Sequence, residues 1–256
     1  MIDVDILCNP YLGEPFKISG DQLIGLASEH KFQIKDGIPR IIDHSFLSSR
    51  NKLNQLIYNF FAPLYEHLLS IGDYLNYSHE LSINKGFLQK LEIYPGMRIL
   101  EIGIGPGYSA KYLPANADHI GIDLSWNMLQ KAKQNMLAEE KAPLLIQALA
   151  EYIPIKNNSM DIVFQIGTLQ FTEDPFKAVS EMARVAKPGS SIYVIDEIRG
   201  GMKIFKRSPA HGMHVQNSAD LIKELPRLVP LSMINIRTQN LPGNQFYQLQ
   251  FTKPKL

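Results

Sequence analysis

The stretch Arg98-Ile99-Leu100-Glu101-Ile102-Gly103-Ile104-Gly105-Pro106-Gly107-Tyr108-Ser109 decides the fold. Ile99, Leu100 and Ile102 form a short apolar run, as in a buried parallel strand, and the run breaks into a glycine-rich turn. Ser109 to Leu113 then read as the first turns of a helix. Glycine suits both a tight reversal and a close approach of backbone to ligand, since a Cβ would block either. Such a turn also aims free amides at a ligand from the start of a helix. Counted from Gly103, the Gly-x-Gly-x-x-Gly/Ala dinucleotide fingerprint needs a small residue where Tyr108 stands. That argues against a nicotinamide or flavin dinucleotide. Glu101, two residues before the first glycine, is placed to receive a cationic amino group.

Outward from this stretch, strands and helices alternate at the pace of βαβ units, which implies a parallel sheet covered on both faces. Asp118 to Asp123 reads as the second strand, and its terminal acid can accept from two ribose hydroxyls beside the glycine turn. Ser125 is an N-cap candidate, and Met128, Leu129, Ala132 and Met136 trace a helical stripe. Leu144 to Gln147 and Ile162 to Ile166 are further strands, with Gln165 and Gln170 at the ligand end of the latter. Pro175 to Ala186 reads as a helix and Ser191 to Asp196 as a strand, with Glu197 at its rim. Met233 to Arg237 and Phe246 to Phe251 read as a closing antiparallel pair.

Composition narrows the setting. With 256 residues, 45% hydrophobic and 20% charged, the chain has room for one α/β domain and an accessory segment. A net charge of +1 gives no global attraction to nucleic acid or to an anionic membrane. No apolar run is long enough to span a bilayer, and the start lacks the pattern of a signal peptide. The lone Cys8 excludes an internal disulfide and suits a reducing, cytoplasmic setting.

Glu101-x-Gly103-x-Gly105-x-Gly107 resembles the first motif of class I S-adenosylmethionine-dependent methyltransferases. Gly121-Ile-Asp123-Leu-Ser125-Trp-Asn-Met128-Leu129 resembles the family's second motif. Ala150 to Asp161 is similar to its "Asp-Ala-Glu-x-Leu-Pro-Phe" run, and Glu181 to Ser190 to its structural "Glu-x-x-Arg-Val-Leu-Lys-Pro-Gly-Gly" signature. The resemblance implies a Rossmann-like, seven-stranded, mostly parallel sheet with helices on both faces over residues 95–256. It implies S-adenosylmethionine as cofactor, with Glu101 at the methionine amino end, the Gly103, Gly105 and Gly107 backbone beside carboxylate and sulfur, and Asp123 at the ribose. Leu124, Leu149 and Ala150 would flank adenine, although the family usually carries an aspartate where this chain has Leu149. Gln165 and Gln170 complete the expected cofactor set.

Residues 1–45 resemble the zinc-ribbon-like segment before some methyltransferase domains and the small Trm112-like proteins, which share an Asp-Gly-Ile-Pro ending. A structural zinc needs four Cys or His ligands. Cys8 stands alone and the second knuckle offers only Ser28 and His30, so a metal-free relic is expected. Residues 46–94 read as a helical lid and substrate region: Leu53, Leu56, Ile57, Phe60 and Phe61 follow a 3.6-residue spacing. Tyr65, Glu197, His211 and His214 are the candidates for a catalytic base.

These readings point to methyl transfer to a small-molecule substrate, with no membrane partner. An RNA or protein methyltransferase, suggested by the ribbon-like start, is the alternative enzyme. A non-catalytic protein of the same fold, suggested by Leu149, is the third reading. The methyl acceptor and the oligomeric state stay open.

Overall fold

The computed structural model describes residues 2–61, 85–199, 234–241 and 244–254. Strand β5 (Arg98–Ile102) pairs in parallel with β6 (Asp118–Asp123) on one side and with β8 (Met160–Ile166) on the other. Strand β7 (Leu144–Gln147) lies parallel beyond β6, and β9 (Ala186–Arg199) parallel beyond β8. Strands β10 (Ile234–Leu241) and β11 (Asn244–Thr252) close the β9 side as an antiparallel hairpin. Among the described residues the sheet therefore has seven strands in the order β10-β11-β9-β8-β5-β6-β7. The glycine turn leaves its middle strand.

Alternation along β5 explains why both faces are covered. Leu100 and Ile102 enter one core with Val179 and Met182 of α3 (Pro175–Val185), while Ile99 enters another with Phe87, Leu88 and Phe164. Helix α2 (Trp126–Ala138) lays Leu129, Ala132 and Met136 against Ile104. Ser125 caps α2 through the Met128 amide, and Asp174 caps α3 ahead of Pro175. On α3, Glu181 and Arg184 pair with each other and bind the backbone of Ile153 and Ile155. That fixes the loop before β8.

After the glycine turn the expected α-helix is only a 3₁₀ segment, Tyr108–Tyr112. Leu113, which precedes Pro114, is extended at ψ 144°, because the proline ring excludes the helical region for its predecessor.

The N-terminal strands β1 (Phe16–Ser19), β2 (Gln22–Gly25), β3 (Lys31–Lys35) and β4 (Ile38–Pro39) form an antiparallel meander. Ile6, Leu7, Phe16, Leu23, Phe32 and Ile41 share a core with the main sheet. Leu7 bridges to Ile155, and Arg40 bridges in parallel to Gln147, so the meander covers the free edge of β7. Cys8 is buried, and burial pushes its thiol pKa up. Among the described residues no group of His, Cys, Asp and Glu could hold a metal ion.

A carboxylate does the stapling here. Buried Glu14 accepts from the Asn9 side-chain amide (3.2 Å) in the first turn, and from the Ala27 (2.6 Å) and Ser28 (2.9 Å) amides in the second. The Ser28 hydroxyl donates to it as well. Hydrogen bonds from Ser28 hold the Glu14 pKa down at about 2. A Cβ at Gly25 would overlap the carboxylate, so glycine is required there by space.

A depressed carboxyl pKa stabilises the fold above its unfolded value, and that contribution fades as pH falls through the folded one. Wild-type stability in urea should therefore fall between pH about 4.5 and about 2. Glu14→Gln should be less stable at pH 7 and should show a weaker fall over that window.

Candidate active site

The carboxyl ends of β5, β6 and β8 meet around the glycine turn, where open α/β sheets bind ligands. Gly103 and Gly105 both have positive φ, 69° and 52°, for different reasons. A Cβ on Gly103 would overlap Thr168, whose hydroxyl is held on the Ile102 carbonyl at 3.1 Å. Nothing lies within 4 Å of a Cβ built on Gly105, so its face is open to the crevice. A ligand could approach the backbone there.

Asp123 ends β6 opposite this opening. Its Oδ2 accepts from the Gly105 amide at 2.9 Å and its Oδ1 from the Ser125 amide at 2.8 Å. Desolvation nevertheless outweighs those donors and pushes its pKa up to about 6. The next residue, Leu124, offers a carbonyl that accepts from Gln55 (3.1 Å) and from Gln147 (3.0 Å). Leu149 lies in the loop after β7 and is buried at 2% exposure, with Ala150 half-buried beside it.

Glu101 is more enclosed than its position at the strand end suggests. Its Oε2 takes the Ser109 hydroxyl and lies 3.0 Å from His119 Nε2, and both Glu101 and His119 are buried. The other imidazole nitrogen, Nδ1, is buried without a hydrogen-bond partner. Gln165 is fully buried: it donates to the Ile195 carbonyl (3.1 Å) and accepts from the Thr168 amide (2.8 Å). That amide ties β9 at its nitrogen and the loop after β8 at its oxygen. The side chains of Gln170 and Glu197 lie outside the described residues, as do Tyr65, His211 and His214 entirely.

Helix α1 (Ser49–Phe61) crosses this end of the sheet. Asn54 donates to the Phe171 carbonyl (2.8 Å) on one side. On the other, Asn59 accepts from Ser125 Oγ (2.8 Å) and its own carbonyl accepts from the Asn127 side chain (2.7 Å). The helix is where the 3.6-residue spacing puts it, but it presents the opposite face. Leu53, Leu56 and Phe60 are exposed at 56%, 67% and 69%. The loops beneath offer carbonyls and a hydroxyl, so the carboxamide face turns inward. The stripe Asn51-x-x-Asn54-Gln55-x-x-x-Asn59 carried that signal at helical spacing. Nothing local marks His119, because its partner is set by strand register.

A cavity of about 770 Å³ lies elsewhere, against Met97, Asp161 and Ser191 near the amino ends of β5, β8 and β9. It has no part in the arrangement described above.

Residues 100–194 match the family model described as a methyltransferase domain. The chain is 26% identical over 168 residues to a phosphatidylethanolamine N-methyltransferase of Cereibacter sphaeroides, covering 62% of this chain and 81% of that one. It is 25% identical over 166 residues to a ubiquinone/menaquinone biosynthesis C-methyltransferase of Geotalea daltonii, covering 62% and 69%. Among solved structures, an S-adenosylmethionine-dependent methyltransferase from Aquifex aeolicus superposes with a TM-score of 0.52 at 20% identity, over 66% of this chain and 89% of that one. These matches mark a methyltransferase domain over residues 100–194, with S-adenosylmethionine as its cofactor.

His119→Ala should leave the buried Glu101 carboxylate short of a donor and destabilise the protein by about 3 kcal/mol. Adding Glu101→Gln should recover part of that loss, because the uncompensated charge is then gone. Urea denaturation of the two variants checks both steps.

Proposed function

We propose that the protein transfers a methyl group from S-adenosylmethionine to a small-molecule acceptor in the crevice beneath α1. The observation that carries the binding mode is the open face of Gly105 directly beside the Asp123 carboxylate. In this reading Asp123 accepts from the ribose hydroxyls, and the Gly103 to Gly107 backbone runs beside the methionine end. Leu124, Leu149 and Ala150 flank the adenine. Glu101 favours the cofactor's amino group by its charge, while its contacts to Ser109 and His119 hold the turn. Gln165 shapes the loop after β8.

The sulfonium methyl of S-adenosylmethionine is an activated donor, so alignment and exclusion of water account for most of what the protein must supply. Helix α1 serves the second task as a roof held by side-chain amides at its middle and near its C-terminal end. Where the acceptor needs a base, Tyr65, Glu197, His211 and His214 are the candidates. The relatives named above, one a phosphatidylethanolamine N-methyltransferase and one a quinone-biosynthesis C-methyltransferase, support a small-molecule acceptor. Thermal shifts with a metabolite panel, set against capture of total RNA, test that choice. Selective RNA capture with no metabolite shift would overturn it.

Asp123→Ala should weaken S-adenosylhomocysteine binding by about 1.5–3 kcal/mol, read by calorimetry. The carboxylate is the accepting form, and in the free protein it protonates at about pH 6. Affinity should therefore be full above that pH and fall below it, with proton release on binding near pH 6. The Asp123→Asn variant should lose this pH dependence.

A further inference from the structure

The N-terminal meander reaches the cofactor loop through two side chains. The Ile41 amide donates to the Gln147 carbonyl at 2.8 Å, a bridge on the β7 edge. In the same place Arg40 Nε donates to Gln147 Oε1 at 2.7 Å. The carboxamide so oriented turns its Nε2 to the Leu124 carbonyl, 3.0 Å away. Gln147 is buried at 1% exposure, so this carboxamide has little alternative solvation. An amide polarised by a guanidinium at its oxygen is a stronger donor at its nitrogen. The Arg40 guanidinium also sits over the Trp126 ring, 5.1 Å from its centroid, at the start of α2. One residue of the meander thereby reaches both ends of the Leu124–Trp126 segment that follows Asp123, Trp126 directly and Leu124 through Gln147.

We infer that Arg40 is a positioning residue for the cofactor. Through Gln147 it fixes the Leu124 carbonyl, and through Trp126 the first turn of α2, so the loop after Asp123 is held in its ligand-accepting shape. The N-terminal meander then acts as a built-in brace for the adenosine end of the site. This rests on the reading that Asp123 and Leu124 receive the adenosine moiety. Lys35 supplies an internal control: it lies over the same ring at 5.4 Å, and no hydrogen bond joins it to Gln147 among those described.

Trp126 is the only tryptophan in the chain, so its emission reports this segment without a label. The full-length protein and its Arg40→Ala, Arg40→Lys, Lys35→Ala and Gln147→Met variants would be titrated with S-adenosylhomocysteine by calorimetry. Trp126 emission and melting temperature would be recorded for each. Arg40→Ala and Gln147→Met should each weaken binding about tenfold, and the double variant should lose little more than either alone. Arg40→Lys should recover part of the affinity. Lys35→Ala should change Trp126 emission while leaving affinity at the wild-type value. Wild-type affinity in Arg40→Ala, or equal loss in Lys35→Ala, would overturn the inference. A melting temperature that falls in Arg40→Ala while affinity at a temperature below the transition stays unchanged would reduce Arg40 to a merely structural role. A wild-type protein that binds no S-adenosylhomocysteine would overturn the underlying reading, and the inference with it.

Discussion

The hydrogen bond from the Gly105 amide to Asp123 Oδ2, at 2.9 Å, is the joint on which the site depends. It ties the turn after β5 to the end of β6, so two neighbouring parallel strands present one edge of a crevice. Burial disfavours the Asp123 charge, and the backbone amides of Gly105, Leu124 and Ser125 offset only part of that cost. The result is a carboxylate with unspent accepting capacity beside an open backbone. A polar ligand with paired hydroxyls answers that imbalance. Such a ligand would also share the task of excluding water with α1.

Around this joint the protein uses carboxamides as its fasteners. Gln55 and Gln147 converge on one carbonyl, Asn59 meets the cap of α2, and Gln165 ties the loop after β8. Amides have both a donor and an acceptor and carry no charge, so they satisfy buried backbone groups without the desolvation cost of an ion. Charged groups appear where several donors gather on one carboxylate, as at Glu14 and Glu101. Glu14 joins two turns of the N-terminal meander.

Much of the sheet was legible in the sequence because its signals are local. The apolar run at Ile99 to Ile102, the glycine spacing and the acid at Asp123 each speak within a few residues. The boundaries moved where a neighbour intervened, as at Leu113 before Pro114. What stayed hidden depends on residues far apart. Arg40 and Gln147 are 107 positions apart, and the Glu101–His119 contact follows from parallel register. Helix α1 was found by its period, but the period of Leu53, Leu56 and Phe60 did not reveal which face turns inward. That face follows from the carbonyls at Leu124 and Phe171, which the folded loops present to its carboxamides. At the N-terminus the Glu14 carboxylate gathers donors from two turns that lie up to 14 positions away, so no local pattern marks it.

The central claim is that the cofactor lies across the Gly105–Asp123 joint beneath α1. Amide hydrogen exchange with and without S-adenosylhomocysteine tests it most directly, since it reports location and needs no acceptor. Added ligand should slow exchange in residues 103–109, in 123–127 and along α1, leaving β10 and β11 unchanged. Protection confined to the strands lining the cavity near Met97 and Asp161, with none at the glycine turn, would contradict the account.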